Sequence, residues 1–231
     1  MITLWELKGR GGRPYSSFSW RTKMALRHKG LDYDSVPVPM SDKAAIAFSG
    51  GKTVPIIKDA QDGETRVIRD SWKIAEYLEE KYSDRPTLFG GAIGKGFAFT
   101  YNTWADRVLL PAMMPVIVAD LYERIDPSDE AYFRQVFEGF LRSTLEEARE
   151  RVPRAKERLS KILEPMQATL KRQPFVCGQM PAYGDYILFS IVQWARIASP
   201  QDIFNNSDPL HLWRERMLDL YDGFARNVPV A

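Results

Sequence analysis

Residues 53–78, TVPIIKDAQDGETRVIRDSWKIAEYL, constrain the fold more than any other stretch of this chain. They open on a short apolar run, Val54-Pro55-Ile56-Ile57, of strand length. Asp62-Gly63 then supplies a dipeptide that tolerates positive φ, which suits a hairpin turn. A second strand over 65–68 returns. Asp70 and Ser71 follow, and Ile74, Ala75, Leu78 and Tyr82 fall on one helical face, so a helix opens at once. A helix start carries unpaired N–H groups and partial positive charge, so Ser71 and Trp72 can hold a carboxylate, while the Asp70 carboxylate can hold an ammonium. A ligand with both groups, such as an α-amino acid end, fits that pair. Pro55 cannot donate to a sheet ladder. It reads as an edge proline with the common trans bond, or as a cis residue that turns the Val54 N–H and C=O outward toward an extended ligand.

Upstream, residues 2–7 read as a first strand, followed by a loop with Gly9, Gly11, Gly12 and Pro14 that lacks the GxGxxG spacing of a dinucleotide loop. A helix begins near Ser16 and Ser17 and carries Trp20, Met24 and Ala25 on one face. Arg27, His28 and Lys29 in its last turn suit the helix dipole, and Gly30 is placed to end it. The common role of a serine at a helix start is capping, worth about 1 kcal/mol. The same geometry permits a chemical role: a hydroxyl there can donate to a bound thiolate, and the dipole lowers that thiol's pKa from about 8.5. Residues 33–38 give a second strand and 41–48 a short polar helix that Gly50-Gly51 end. Lys43 and Lys52 can reach a carboxylate, although a plain surface lysine is the commoner role.

The chain has 231 residues, enough for two small domains, with the apolar and charged content of a soluble globular protein. A net charge of +2 gives no basic footprint for nucleic acid. A single cysteine, Cys177, excludes an internal disulfide and a CxxC redox motif and fits a reducing compartment, so a cytoplasmic location is expected. The start of the chain lacks the basic and apolar regions of a secretory leader, and no apolar run reaches the ~20 residues of a membrane span. His28 and His211 are far apart with no metal-ligand spacing, so neither a catalytic histidine nor a metal is expected.

Val54-Pro55, a hairpin, then Asp70-Ser71 at a helix start resembles the glutathione-binding half of glutathione transferases, an α/β thioredoxin-like domain. The resemblance implies glutathione as cosubstrate, a cis Pro55, Val54 backbone bonds to the cysteinyl part of glutathione, and Asp70 and Ser71 on its γ-glutamyl end. Lys52 and Thr53 belong to the same implied ligand-binding stretch. The segment from Ser16 through Trp20-Arg21-Thr22-Lys23 resembles the first helix of a narrower group, the bacterial β-etherases that cleave lignin-type aryl ethers, with related fungal glutathione transferases. That match maps the group's serine onto Ser16, with Ser17 where proline is common. Which of the two activates a thiol is open. The implied organisation is a thioredoxin-like domain over 1–82, a linker over 83–91, and an all-helical substrate-binding domain over 92–231. A homodimer and a small apolar or aromatic substrate are implied as partners.

From residue 92 onward only helical patterns occur. A long apolar helix over 97–121 is expected to kink at Pro111 and Pro115. Asp126-Pro127 start the next, with Tyr132, Phe133, Val136, Phe137, Phe140 and Leu141 as its buried face. The mixed charge run over 146–161, interrupted by Pro153, reads as a solvated turn, and Leu159, Ile162, Leu163, Met166 and Leu170 as a further apolar stripe. Ala182 stands where the family has a capping hydroxyl or amide before its central helix, so half of that capping box is missing, while Asp185 is retained. Asp208-Pro209 open the last helix, with Leu212, Trp213, Met217 and Leu220 inward, and Cys177 reads as a packed thiol rather than a nucleophile. Tyr15, Phe18, Tyr101, Trp104 and Met113 are candidates for a substrate wall. Two functions stand. One is a transferase in which Ser16 or Ser17 stabilises a glutathione thiolate that attacks an apolar, aromatic electrophile, with β-aryl ether cleavage as its narrower form. The other is a non-catalytic protein of the same fold that holds glutathione or an aromatic ligand.

Overall fold

A computed structural model describes residues 1–61 and 63–231. β1 (Ile2–Leu7) pairs in parallel with β2 (Tyr33–Val38), and α1 (Ser17–His28) makes the crossover between them. β3 (Ile56–Gln61) runs antiparallel to both β1 and β4 (Glu64–Arg69), giving the sheet order β2-β1-β3-β4. α2 (Ser71–Lys81) closes a thioredoxin-like domain. β1 alternates between buried and half-buried positions, and its Ile2 and Leu4 join Ile57 of β3 in the core. Against the sequence reading, the third strand starts at Ile56 rather than Val54, and the return strand reaches one residue further at each end. The Asp62 half of the expected turn lies outside the described residues; Gly63 has φ 78°.

The rest of the chain is helical: α3 (Ala92–Trp104), α4 (Leu110–Tyr122), α5 (Glu130–Leu141), α6 (Leu145–Glu150), α7 (Val152–Leu170), α8 (Tyr183–Ala198) and α9 (Pro209–Gly223). α8 is buried along almost its whole length and packs on α1 and α4. Ala182 supplies no cap, and Asp185 compensates: its carboxylate accepts from the N–H groups of Val176 (2.7 Å), Cys177 (3.1 Å) and Ala182 (3.2 Å) and from Trp213 Nε1 (2.9 Å).

Three expectations need correction. The long apolar helix is not one continuous α-helix: ahead of Pro111 it widens into a π turn over Ala105–Leu109, where Leu110 N–H bonds to Ala105 O. Pro111 has no N–H to give and its ring would meet the carbonyl four residues back, so the wider turn absorbs it. The charge run is not a turn. Thr144 and Glu147 form a reciprocal capping box that starts α6 (3.1 and 3.3 Å), and Pro153 sits in the first turn of α7, where no N–H is required. Of the face expected on α5 only Phe133 is fully buried; Phe140 is 55% exposed, and Leu212 of α9 is 51% exposed.

The two halves meet through α1. Arg21 is fully buried and directs its guanidinium into the helical half, donating to Ser190 Oγ (3.2 Å), Asn102 Oδ1 (2.8 Å) and Asp106 Oδ1 (2.7 Å). Arg21→Met keeps most of the packing stem and strips those donors from three acceptors. We expect a loss of about 3 kcal/mol in chemical denaturation, since Asp106 is partly solvated and recovers some of the full cost of a broken buried pair. A loss under about 1 kcal/mol would show that packing alone joins the halves.

Candidate functional site

A cavity of about 820 Å³ opens between the two halves. Ser16, Ser17, Lys52, Thr53, Val54, Pro55, Asp70 and Ser71 all line it, so the residues singled out in the sequence are brought together. Two helix N-termini frame them. Ser16 is the N-cap of α1, and its Oγ accepts from Ser19 N at 3.2 Å, which leaves the hydroxyl proton free to donate outward. Ser17 begins α1, and its hydroxyl has no protein partner among the described residues. Both serines are largely buried against the cavity wall.

Asp70 is the N-cap of α2, and its Oδ1 accepts from Trp72 N (3.0 Å) and Lys73 N (3.1 Å). Its backbone sits at φ 75°, a left-handed conformation that costs a non-glycine residue energy and clusters at ligand-holding sites. Ser71 is buried, and its carbonyl accepts from Tyr183 OH at 2.9 Å, which ties the α2 start to α8. The Val54–Pro55 peptide is cis, as the family resemblance implied and against the commoner isomer. Arg69 Nη1 donates to Gly50 O at 2.6 Å and holds the loop that leads to Lys52.

The two walls differ in chemistry. The thioredoxin-like wall carries Lys43, Lys52, Arg69 and Lys73 against the single carboxylate of Asp70. The helical wall, with Leu110, Met114, Tyr132, Val136, Phe137 and Trp194 among its residues, holds no charged group. Tyr132 and Val136 of α5 line the cavity, and Phe137 lines it while also packing on Phe133 (4.1 Å between rings); Phe140 lies outside it. Of the substrate-wall candidates, Tyr15 and Phe18 line the cavity. Tyr101 stacks on Trp104 (5.3 Å between rings) and lines a separate cavity of about 1040 Å³, and Met113 is core. Its neighbour Met114, about 100° further round α4, faces the site instead. Burial, with Asp129 and Asp126 nearby, pushes the Tyr15 phenol well above its ordinary range, so it stays neutral.

Two residues near the cavity carry no sequence signal of their own. Gly9 allows a backbone approach that a Cβ would block, since one built there would meet Arg124 O at 2.5 Å. Asp129 is fully buried and accepts from Met40 N (2.7 Å), Ser41 N (2.8 Å) and Ser41 Oγ (2.6 Å).

Residues 15–81 match the family model of the glutathione S-transferase N-terminal domain, and residues 96–225 match that of the C-terminal domain. The chain belongs to the glutathione S-transferase family, in which glutathione is the cosubstrate. Its fold is similar to that of a glutathione S-transferase of Ceriporiopsis subvermispora solved in complex with glutathione, with TM-score 0.83 and 21% identity, covering 100% of this chain and 99% of that one. A glutathione transferase from Phanerochaete chrysosporium gives TM-score 0.76 and 24% identity, covering 97% and 93%. A zeta-class glutathione S-transferase of Euphorbia esula is 31% identical over 54% of this chain and 57% of its own length. A glutathione S-transferase-like protein of Aspergillus flavus is 23% identical over 92% and 83%. The match thus spans little over half of the first curated relative and most of the second.

Cys177 lies outside the interdomain cavity. The residue is exposed overall, but its sulfur packs over Gly184, where a Cβ would come within 2.6 Å. Burial of the thiol, with Asp185 beside it, pushes its pKa up to about 12. The thiolate fraction at pH 8 is therefore small. Alkylation by iodoacetamide at that pH should run about two to three decades slower than for a free thiol and should rise with pH toward 12. A rate near that of free cysteine would show the sulfur to be open.

Proposed function

We propose that this chain is a serine-type glutathione transferase that attacks an apolar, aromatic electrophile, with β-aryl ether cleavage as its narrower form. One observation carries the reading: the Ser16 and Ser17 hydroxyls at the start of α1 share a cavity with the Asp70-Ser71 start of α2. Glutathione fits the groups present. Its γ-glutamyl carboxylate suits Ser71 and the α2 N-terminus, and its ammonium suits the Asp70 carboxylate. The Val54 backbone suits its cysteinyl part, beside Thr53 and the cis Pro55, and its glycyl carboxylate suits Lys52. The excess of cations on that wall matches a ligand that is anionic at neutral pH.

The chemistry asked of the protein is small. The Ser16 hydroxyl, polarised by the N–H of Ser19 that it accepts, donates to the sulfur and favours its thiolate form. The N-terminal dipole of α1 acts in the same direction. The thiolate forms a bond to the electrophilic carbon as the carbon–oxygen bond of the aryl ether breaks, and the electron pair leaves with the phenolate, which water then protonates. The uncharged wall of Leu110, Met114, Val136 and Phe137 supports an apolar electrophile.

Ser16→Ala should slow turnover by about 1.5–3 kcal/mol, or one to two decades, and move the ultraviolet titration of the bound thiol to higher pH. Glutathione affinity should change little, and Ser17→Ala should do less. Asp70→Ala with Ser71→Ala should instead weaken calorimetric binding of glutathione. Binding that survives without turnover would favour the non-catalytic reading, in which Ser16 only caps α1. An unshifted thiol titration in both serine variants would place activation on the backbone and dipole.

A homodimer belongs to the same proposal. Ile93 and Phe97 of α3 are 80% and 74% exposed, an apolar surface that a second copy would cover. Light scattering should give twice the chain mass of 26.5 kDa, and a constant single-chain mass would refute it.

A further inference from the structure

We propose that Asp129 is a positioning residue for electrophile binding, latching the helical wall of the cavity to the loop after β2. The inference rests on the reading above that the apolar wall takes the electrophile. Asp129 ends the short turn Pro127–Asp129, which runs directly into α5. From that turn its buried carboxylate reaches into the other domain and takes three donors, Met40 N, Ser41 N and Ser41 Oγ. Both anchored segments supply cavity wall. Met40 and Lys43 stand on one side of the latch, and Tyr132, Val136 and Phe137 of α5 on the other.

Within its own half α5 is held to α4 and α6: Arg134 bonds to Glu146 (2.8 Å) and lies 4.6 Å over the Tyr122 ring, and Glu138 accepts from Leu145 N (3.3 Å). Phe133 is its one fully buried residue. Its other ties to the first domain are Arg10 to Glu130 at 3.0 Å, between exposed side chains, and the Lys43 ammonium 4.8 Å over the Tyr132 ring. Such surface contacts are weak and screened by salt. A buried carboxylate with three short bonds is a stiffer tie, because removing it costs three charge-assisted bonds to half-buried donors. Asp129 is therefore the buried side-chain tie between the cationic and apolar walls, beside the backbone bond of Arg10 N to Arg124 O (2.7 Å) and the Lys8–Asp126 pair (3.5 Å). The same loop continues through Gly50 and Gly51 to the Val54–Pro55 segment, so the wall that meets the electrophile is referenced to the wall that holds glutathione.

The test compares Asp129→Asn and Ser41→Ala with wild type and with Leu163→Ala, a core lesion in α7 away from the cavity. Kinetics with glutathione and an aryl ether that bears the leaving phenoxy group next to a ketone should show the electrophile KM raised about tenfold in Asp129→Asn and less in Ser41→Ala. The saturated rate and the titration of the bound thiol should stay at wild-type values. Hydrogen exchange read by mass spectrometry should quicken in peptides over 39–43 and 130–141 and not in α7. Leu163→Ala should lower the melting temperature and leave KM alone. An electrophile KM that does not move, or exchange that quickens throughout the chain, would overturn the latch and leave Asp129 as a general stabiliser. If wild type fails to turn over any such ether, the functional reading falls by itself. The exchange pattern still decides the latch, since local loosening supports it and its absence refutes it.

Discussion

The buried guanidinium of Arg21 is the contact on which the rest of the arrangement depends. It leaves α1 of the thioredoxin-like domain and meets Asn102 of α3, Asp106 in the π turn and Ser190 of α8. A planar fork of donors suits three acceptors at fixed angles in a way that an ammonium would not. Its neighbours serve the same end. Trp20 is fully buried, and its Nε1 donates to Pro14 O at 2.8 Å, which fixes the loop arriving at Ser16. Lys23 places its ammonium 3.1 Å from both Glu6 oxygens and 4.5 Å from the Trp20 ring, tying α1 to β1. Burial lowers the Lys23 pKa while Glu6 opposes the shift. The Trp-basic-Thr-Lys pattern is thus a set of anchors. The hydroxyls at the head of α1 reach the cavity because the residues behind them cannot move.

Cavity chemistry follows from which domain supplies each wall. A thioredoxin-like domain offers helix starts and loop lysines, so its side is polar and cationic. A helical bundle offers side chains from α4, α5 and α8 that would otherwise be core, so its side is apolar. The cavity thereby offers a polar, cationic surface and an apolar one side by side. Exposed apolar residues on α5 are a consequence rather than a defect, because a face that lines a ligand cavity has nothing in the chain to pack against.

This division also explains what could be read from the sequence. The strands and both helix starts were legible because they rest on local rules: apolar strand-length runs, helical spacing, and Asp or Ser ahead of a helix. The polar wall was legible for the same reason, as Ser16, Ser17 and residues 52–55, 70 and 71 belong to contiguous motifs. The apolar wall was not. It is assembled from facing elements, and choosing Met114 over Met113 needs the rotation of α4, which the π turn changes. A stripe facing a cavity and a stripe facing core have the same periodicity, so spacing alone does not separate the two for α5. The charge run misled because Pro153 resembles a break unless the Thr144–Glu147 capping box ahead of α6 is noticed. Asp129 acts only in three dimensions and no spacing rule marks it, while Arg21 stands in a sequence motif that does not show its partners.

The far end of α1 completes the strut. Lys29 there pairs with Glu79 of α2 at 2.7 Å and donates to Tyr82 O at 3.2 Å. Burial alone would raise the Glu79 pKa, yet the Leu88 N–H, Lys29 and Thr87 together hold it below the ordinary value. The segment joining the two halves is therefore gripped by a charged carboxylate. One residue earlier, His28 lies between Thr87 O, 3.0 Å from Nε2, and Tyr186 OH, 2.6 Å from Nδ1. Burial lowers its pKa, which favours the neutral ring. A carbonyl can only accept, so Nε2 carries the proton and Nδ1 accepts from Tyr186, whose oxygen in turn accepts from Tyr221. A neutral imidazole satisfies both neighbours at once, whereas a protonated one would face the Tyr186 hydroxyl with a second donor and turn that chain of bonds around. Residues at both ends of α1 thus fasten to the helical half, the head through Arg21 and the tail through His28, with Lys29 gripping the carboxylate that holds the connecting segment. The Ser16–Ser17 end of the cavity inherits its position from a helix held at Arg21 in its second turn and at His28 in its last.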